Sequence, residues 1–454
     1  MPFVFAPGRI GRPLVIVISL ALSAATAAPA QQVRTISFDE AVQVALSQNI
    51  LLQQAENTVE LQSRQVFQQR MDFLPSLSFS TNGSRGAGYA QDQAGNNIQF
   101  TSKNVNGALF TQFNLFNGFA DVAALEQAKY SREASVLDYD RSRQDVVFNV
   151  ADNFLAYVNA VEQVTIWEEN LESQRQQLAQ IEEFVNVGQR PISDLYQQQA
   201  ATAQSELQLL DAQRTTQLAH TLLIQVLHLD PFGEYEFVAP EIESVEVMPQ
   251  AYTLDDLLRM AFSERADIEA QEQQILASRE GIRIANSSYW PQVNLSGNYR
   301  SNFSPDSDGG LLNQIDLNRG NSIGFSISYP IFDRFTRGTQ VQQAEVSYQN
   351  DVLALENLRQ QVALQVRQAY LDFEMTEKRL EVTATQVQAA EQAVEAAEER
   401  YNVGAGTLVE LTQARALDVE AASNQVQARY DHVFQAKLVD YYVGRLDPAQ
   451  PLLQ

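Results

Sequence analysis

Two carboxylates, Asp194 and Glu410, pose the first chemical question. They stand 216 positions apart, and each follows by six residues the glycine of an Asn-Val-Gly triplet, Asn186-Val187-Gly188 and Asn402-Val403-Gly404. Thr407-x-x-Glu410 reads as a capping box, since an acid suits the first turn of a helix. Acid–base or metal chemistry would need partners. The histidines are His220, His228 and His432, and no His-Glu-x-x-His, phosphate-loop or Gly-x-Ser-x-Gly pattern occurs. The chain has no cysteine, which excludes disulfides, thiolate metal sites, a Cys nucleophile and a lipid-bearing N-terminal Cys. The expectation is a protein that is not an enzyme and takes no cofactor or metal.

The paired triplets belong to a larger repeat. At the same 216-residue offset Ala45 meets Ala261, Pro75 meets Pro291, Asn82 meets Asn298, Phe116 meets Phe332, Leu155 meets Leu371 and Leu195 meets Leu411. The copies close on Leu229-Asp230-Pro231 and Leu446-Asp447-Pro448. An offset held over about 160 residues predicts a duplication. The division is repeat 1 over 31–231, an acidic linker over 232–251 and repeat 2 over 252–454. Residues 1–30 read as a secretory signal peptide: Arg9 and Arg12, the apolar run Pro13 to Leu22, then small residues with cleavage near Ala27 or Ala30. An uncleaved membrane anchor is the rival reading, but the run is short for one. Without that leader 29 basic residues face 56 acidic ones, a net charge of about −27 that nucleic acid and anionic lipid surfaces repel.

Each copy carries the same order of elements. A capping box, Ser37-x-x-Glu40 or Thr253-x-x-Asp256, starts a helix of about 35 residues ending before Pro75 or Pro291. The period then becomes two. Leu77 and Phe79 alternate with Ser78 and Ser80, and Val293, Leu295, Gly297 and Tyr299 alternate with Gln292, Asn294, Ser296 and Asn298. Beyond Gly/Asn/Asp-rich loops at 83–97 and 302–321, Leu109, Thr111, Phe113 and Leu115 form one face. Ile323, Phe325, Ile327, Tyr329 and Ile331 do the same in copy two. A long helix follows, from Phe335 to Tyr401 in copy two. Val341, Tyr348, Leu355 and Val362 repeat every seven residues, as do Val366, Phe373, Leu380, Val387, Val394 and Tyr401. The four-residue step between the two series reads as a stutter. After the Asn-Val-Gly turn a helix of about 35 residues runs back, so two short helices end to end flank one long helix.

The four strands alternate apolar and small polar residues, the pattern of a transmembrane β-barrel. Phe73, Phe116 and Phe119 bracket them in copy one, and Tyr289, Trp290, Phe332 and Phe335 in copy two, types suited to a membrane interface. A hairpin packed on a soluble core is the other reading. Four strands cannot close a barrel, and lipid does not tolerate an open edge. The chain is therefore expected to share its barrel with copies of itself, two giving eight strands and three giving twelve.

With these elements in this order, the Leu115-Phe116-Asn117-Gly118 strand end and the doubled Asn-Val-Gly turns, the chain resembles the TolC family of outer-membrane efflux proteins. The resemblance covers essentially the whole chain after the leader. It implies an α+β membrane protein, internally duplicated, whose homotrimer forms a twelve-stranded β-barrel continued by a long coiled α-helical barrel. It implies an outer-membrane exit duct of a tripartite efflux pump or type I secretion system in a Gram-negative bacterium. The partners implied are a periplasmic adaptor, an inner-membrane transporter and the lipid bilayer, with no nucleic acid. The two turns would form the periplasmic entrance and adaptor-docking end, with Glu410 and its counterpart Asp194 in lumenal acid rings that favour cations. Tyr401 matches a residue that ties neighbouring coils. Gln413 stands where some members carry a second acid, and Gly406 where some carry a basic latch residue. A soluble periplasmic coiled-coil adaptor or structural protein is the alternative, and it leaves two lipid-patterned hairpins without a role.

Overall fold

The computed structural model describes residues 33–91, 95–239 and 252–448. The expected signal peptide and the linker beyond residue 239 lie outside the described residues. Helix α1, Phe38–Gln48, starts where the Ser37 side chain accepts the Glu40 N–H. The reciprocal capping box forms in copy two, between Thr253 and Asp256 at the start of α5, Leu254–Glu264.

The single helix expected up to Pro75 is two. Asn49 leaves the helical conformation (φ −62°, ψ 122°), and its side chain caps α2, Ile50–Met71. Arg265 makes the same break before α6, Ala266–Ser287. An extended residue whose amide oxygen accepts the Leu52 N–H is a better cap than a helix interior, which is why Asn49 interrupts the run.

The sheet is larger than expected in copy one. Strand β2, Ser76–Gln91, and β3, Asn97–Phe116, run through most of the stretch read as a loop. In copy two β5, Gln292–Phe303, and β6, Gly320–Ser328, are joined through a short helix, α7, Leu311–Leu317, that the sequence reading missed. Strand β6 ends before Ile331. The four strands form one antiparallel sheet in the order β2-β3-β5-β6. Its register sets Leu77, Thr111, Gly297 and Ile323 in one row and Phe113, Leu295 and Phe325 in the next. Side chains directly opposite share a face. The other face carries Ser78, Phe110, Asn298 and Ser322, then Ser76, Gln112, Ser296 and Gly324. A register shift between Asn114 and Phe116 pairs Phe116, rather than Leu115, with Val293. A second, two-stranded sheet was also missed: β1, Arg34–Ile36, lies parallel to β4, Tyr235–Phe237, inside the stretch read as linker. Ile36 and Phe237 join Phe38 and Phe154 in the main core.

The long helices are α3, Ala120–Asn186, and α8, Thr336–Asn402, each of 67 residues and so about 100 Å long. Their partners past the turns are α4, Ile192–Val226, and α9, Leu408–Val443. Helix α3 packs on α2, α4, α6 and α9, and α8 packs on α6 and α9. The helices thus form four columns, with α2 and α4 at one side and α8 at the other. The expected stutter in α8 fits the burial: the row of Ala344, Asp351 and Leu358 passes to the buried Val366 and not to the exposed Gln365, so two four-residue steps meet at Val362. The first heptad series continues unbroken from Val362 through Ala369, Thr376, Thr383 and Ala390, all buried. Apart from Val362 these residues are Ala and Thr, small side chains that keep the seam while letting helices approach closely.

Helices α3 and α8 are entered through left-handed residues in both copies: Gly118 and Phe119 (φ 69° and 68°), Arg334 and Phe335 (57° and 63°). Gly118 is also hemmed in. A Cβ there would lie 2.5 Å from the Ser287 carbonyl oxygen and 2.8 Å from Trp290 Cβ. Gly118→Ala is expected to destabilise the protein by about 2 kcal/mol, read as a lower thermal midpoint.

Candidate functional site

The two Asn-Val-Gly turns end α3 and α8 in the same way. The Gly188 N–H donates to Val185 and the Gln189 N–H to Phe184; the Gly404 N–H donates to Tyr401 and the Ala405 N–H to Arg400. This is the Schellman pattern, which requires the left-handed φ of 76° found at both glycines. Asn186, Asn402, Val187 and Val403 are exposed beside them. No side chain or backbone lies near either glycine's missing Cβ, so conformation alone selects glycine here.

The turns come together. Ile181, Tyr401, Leu408 and Leu411 form a small buried cluster, with Val185 and Leu195 against it, so both hairpins contribute. Arg190, from the first turn, places its guanidinium carbon 4.1 Å from the centre of the Tyr401 ring and donates to the Tyr401 backbone carbonyl. The Tyr401 hydroxyl is buried close to the Asp194 carboxylate, its hydrogen-bonding neighbour. Burial raises its pKa; the positive charge of Arg190 pulls it down and the Asp194 carboxylate pushes it up further.

Glu410 serves first as a helix-start residue: its N–H donates to the Thr407 hydroxyl at 3.2 Å. The reciprocal half of the expected capping box does not form. Its carboxylate pairs instead with Arg400, at 3.3 Å across its own turn. Gln413 is exposed on α9, and Gly406 packs beside Arg400, where a Cβ would meet the Arg400 Cβ at 3.1 Å. The sequence reading missed Arg190 and Arg400. Arg190 was legible: at the 216-residue offset it is the counterpart of Gly406, so the base lacking in one turn stands in the other.

The bracketing aromatics gather where strands meet helices. Phe116 makes edge-to-face contacts with Phe119 at 5.3 Å and Trp290 at 6.3 Å, and Phe332 contacts Phe335 at 6.2 Å. Arg337 lies over Tyr289 and pairs with Asp333. Phe73 is partly exposed at the end of α2. Two of the histidines are engaged elsewhere. His220 meets the Tyr235 carbonyl and the Phe237 ring, and His432 stacks on Phe373, where burial lowers its pKa against the opposing charge of Glu377. Among the described residues no helix is long and apolar enough to cross a membrane, and no cluster of His, Asp or Glu is placed to hold a metal ion.

A four-stranded sheet with one apolar face, continued by two hairpins that each pair a 67-residue helix with one about half as long, is the arrangement matched by a class of outer-membrane channel subunits. The profile of that class described as "Outer membrane efflux protein" matches residues 41–227 and 257–437. The chain belongs to the outer membrane efflux protein family. It is 24% identical to Protein CyaE of Bordetella pertussis over 412 residues, 90% of this chain and 82% of that one. It is 24% identical to outer membrane protein TolC of Escherichia coli K12, over 83% of this chain and 76% of that one. The fold is similar to VceC of Vibrio cholerae, with a TM-score of 0.75 at 19% identity over 90% of this chain and 96% of that one. For the CmeC channel of Campylobacter jejuni the TM-score is 0.78 at 18% identity, over 91% and 87%.

Proposed function

We propose that three copies of this internally duplicated chain, exported by an N-terminal leader, form an exit duct through the outer membrane and into the periplasm of a Gram-negative bacterium. The observation that carries this reading is the sheet. Its edge strands β2 and β6 each pair on one side among the described residues, while Leu77, Ile323, Phe325 and Ile327 stand exposed on one face. An open edge beside an apolar face is tolerable in lipid only if other copies close it, and twelve strands leave a lumen that eight would fill. The helices support the same closure. Leu207, Leu210, Leu218 and Leu222 of α4 are exposed at one side of the columns, and Leu364, Leu371 and Val382 of α8 are exposed in the other outer column.

The turns would then lie at the periplasmic end, farthest from the strands. There they meet the adaptor of a tripartite assembly that also holds an inner-membrane transporter. Three chains bring Asp194 and Glu410 into rings around the entrance, with Arg400 offsetting part of the Glu410 charge. The aromatics at the strand ends would mark the periplasmic membrane interface. An outer-membrane family and an apolar sheet face favour this duct over a soluble coiled-coil adaptor. Light scattering of the detergent-extracted protein, corrected for detergent, is expected to give three chains. A monomer in the soluble periplasmic fraction overturns the reading.

A further inference from the structure

The four-stranded sheet carries charge of one sign. Strands β2, β3, β5 and β6 hold three charged side chains, Arg85, Lys103 and Arg300, and no acid. The chain as a whole has 56 acids to 31 bases, so the sheet runs against a net charge that repels anionic lipid. Arg85 and Lys103 are direct cross-strand partners in the β2–β3 hairpin. Strand alternation puts them on the face of Leu77, Phe79, Val105 and Leu109, all exposed. Arg300 shares its row with Ser80 and Ala108 on the opposite face, which would line the lumen.

Lys103 lies beyond the end of β5, whose last residue, Phe303, pairs with Val105. The loop after β5 completes its backbone: the Lys103 N–H donates to Asp306 at 2.9 Å, and the Lys103 carbonyl accepts from the Ser304 hydroxyl at 2.8 Å. Those bonds point away from β2. Lys103 and Arg85 therefore form a non-hydrogen-bonded pair, the closer kind, with Cα atoms about 4.5 Å apart. Like charges directly opposite are destabilising unless an anion joins them. Asp306 answers part of this demand, 3.9 Å from Lys103 Nζ, but Arg85 has no carboxylate partner among the described residues. The buried Gln314 side chain fixes that loop, accepting the Ser304 N–H and donating to the Ser304, Ser307 and Gly309 carbonyls. The pair is held in a set frame with positive charge to spare.

Its height identifies what supplies the anion. Lys103 is thirteen residues along β3 from Phe116, which lies with Trp290 where strands meet helices. At about 3.3 Å per residue and a tilt of about 40°, that is roughly 33 Å along the membrane normal. An apolar band of about 25 Å ends below that level, so the pair stands among the headgroups of the outer leaflet.

We propose that Arg85 and Lys103 form a binding site for the phosphate of a phosphorylated glycolipid in the outer leaflet, one site per chain on the outer wall of the barrel. The guanidinium offers a forked pair of donors to phosphate oxygens, and the ammonium beside it adds a point charge. The inference rests on the duct reading and gives the barrel wall a ligand of its own.

The test is binding of diphosphoryl lipid A to the purified full-length protein in nonionic detergent, followed by native mass spectrometry, which also counts the chains. The unaltered protein is expected to hold this lipid on a three-chain particle, and the same lipid stripped of its phosphates at least tenfold more weakly. Arg85→Gln alone, which breaks no ion pair within the chain, is expected to raise the dissociation constant about fivefold, and Arg85→Gln with Lys103→Gln about twentyfold. Arg300→Gln, on the other face, is expected to bind like the unaltered protein. The inference is overturned if the variants of Arg85 and Lys103 bind unchanged in three-chain particles, or if Arg300→Gln weakens binding as much as they do. It is equally overturned if the dephosphorylated lipid binds as well, because the contact would then belong to the acyl chains. In those cases the three-chain particle leaves the duct reading standing, whereas single chains of the unaltered protein that hold no lipid remove both.

Discussion

Ile323→Arg is expected to strip the protein from the outer membrane, while Ser322→Arg, one residue away, is expected to leave it there. The two residues are neighbours in β6, but strand geometry sends them to opposite faces. Ile323 shares a row with Leu77, Thr111 and Gly297, and is 85% exposed, so nothing within one chain covers it. In a barrel of several copies that row faces lipid. Arginine there costs about 2–4 kcal/mol per chain near mid-bilayer, and three copies multiply the cost beyond what a marginal fold holds. Ser322 shares its row with Ser78, Phe110 and Asn298, the face that would line the water-filled lumen. An added charge there is solvated and alters conduction more than assembly. Membrane fractionation with a trimer-mass measurement decides the point. Equal loss of both variants would mean that the two faces do not differ in environment, and the lipid assignment would be withdrawn.

The legibility of that sheet in the sequence depends on length. Period two over Gln292 to Tyr299 was long enough to read, and the second long helix declared itself by heptad spacing from Val341 to Tyr401. What escaped was short, small or tertiary. Strands β1 and β4 have three residues each, too few for a period, and they exist because Ile36 and Phe237 pack into the core around Phe154. The breaks at Asn49 and Arg265 lie in stretches whose composition is helical, and they are set by a side-chain cap and by a buried guanidinium. Strands β2 and β3 continue through Gly83, Gly86 and Gly88, whose turn-like composition is overruled by sixteen paired positions between them. At the tip, Asp194 and Glu410 were visible because acids follow glycines at equal spacing. Arg190 showed only as the basic counterpart of Gly406 in the repeat, and its partner, 211 positions away, is set by tertiary contact.

The other large effect is expected at Arg265, buried where α5, α6, α8 and the end of α9 meet. Its Nε and Nη2 donate to the two Asp267 oxygens at 2.9 and 2.6 Å, and its Nη1 to the Gln365 side chain and the Tyr442 carbonyl. Arg141 of α3 reaches the adjacent Tyr441 carbonyl at 3.2 Å, so two guanidiniums close the C-terminal end of α9. Removing one partner of a buried pair strands the other, and Arg265→Ala is expected to cost about 3–5 kcal/mol per chain. The first copy suggests the compensated replacement: Asn49 and Leu51 stand where Arg265 and Asp267 do in the second, and Asn49 caps its helix. Arg265→Asn combined with Asp267→Leu is therefore expected to lose much less than Arg265→Ala alone. Acidity separates the causes. Burial pushes the Asp267 carboxyl up, but the hydrogen bonds and charge of Arg265, with Arg141 behind them, outweigh it and hold the group below 3.8. A carboxylate depressed in the folded state contributes stability above the unfolded value, and that contribution fades as pH falls through the folded one. In Arg265→Ala the depression is largely gone and burial remains, so protonation relieves the variant at a higher pH than the parent. Thermal midpoints of the detergent-solubilised protein, taken at one scan rate, should show the gap widest near neutrality. That gap should narrow as pH drops towards and below 3.8, with no such narrowing in the double variant. A gap independent of pH would place the loss in packing around Arg265 and not in the stranded charge of Asp267.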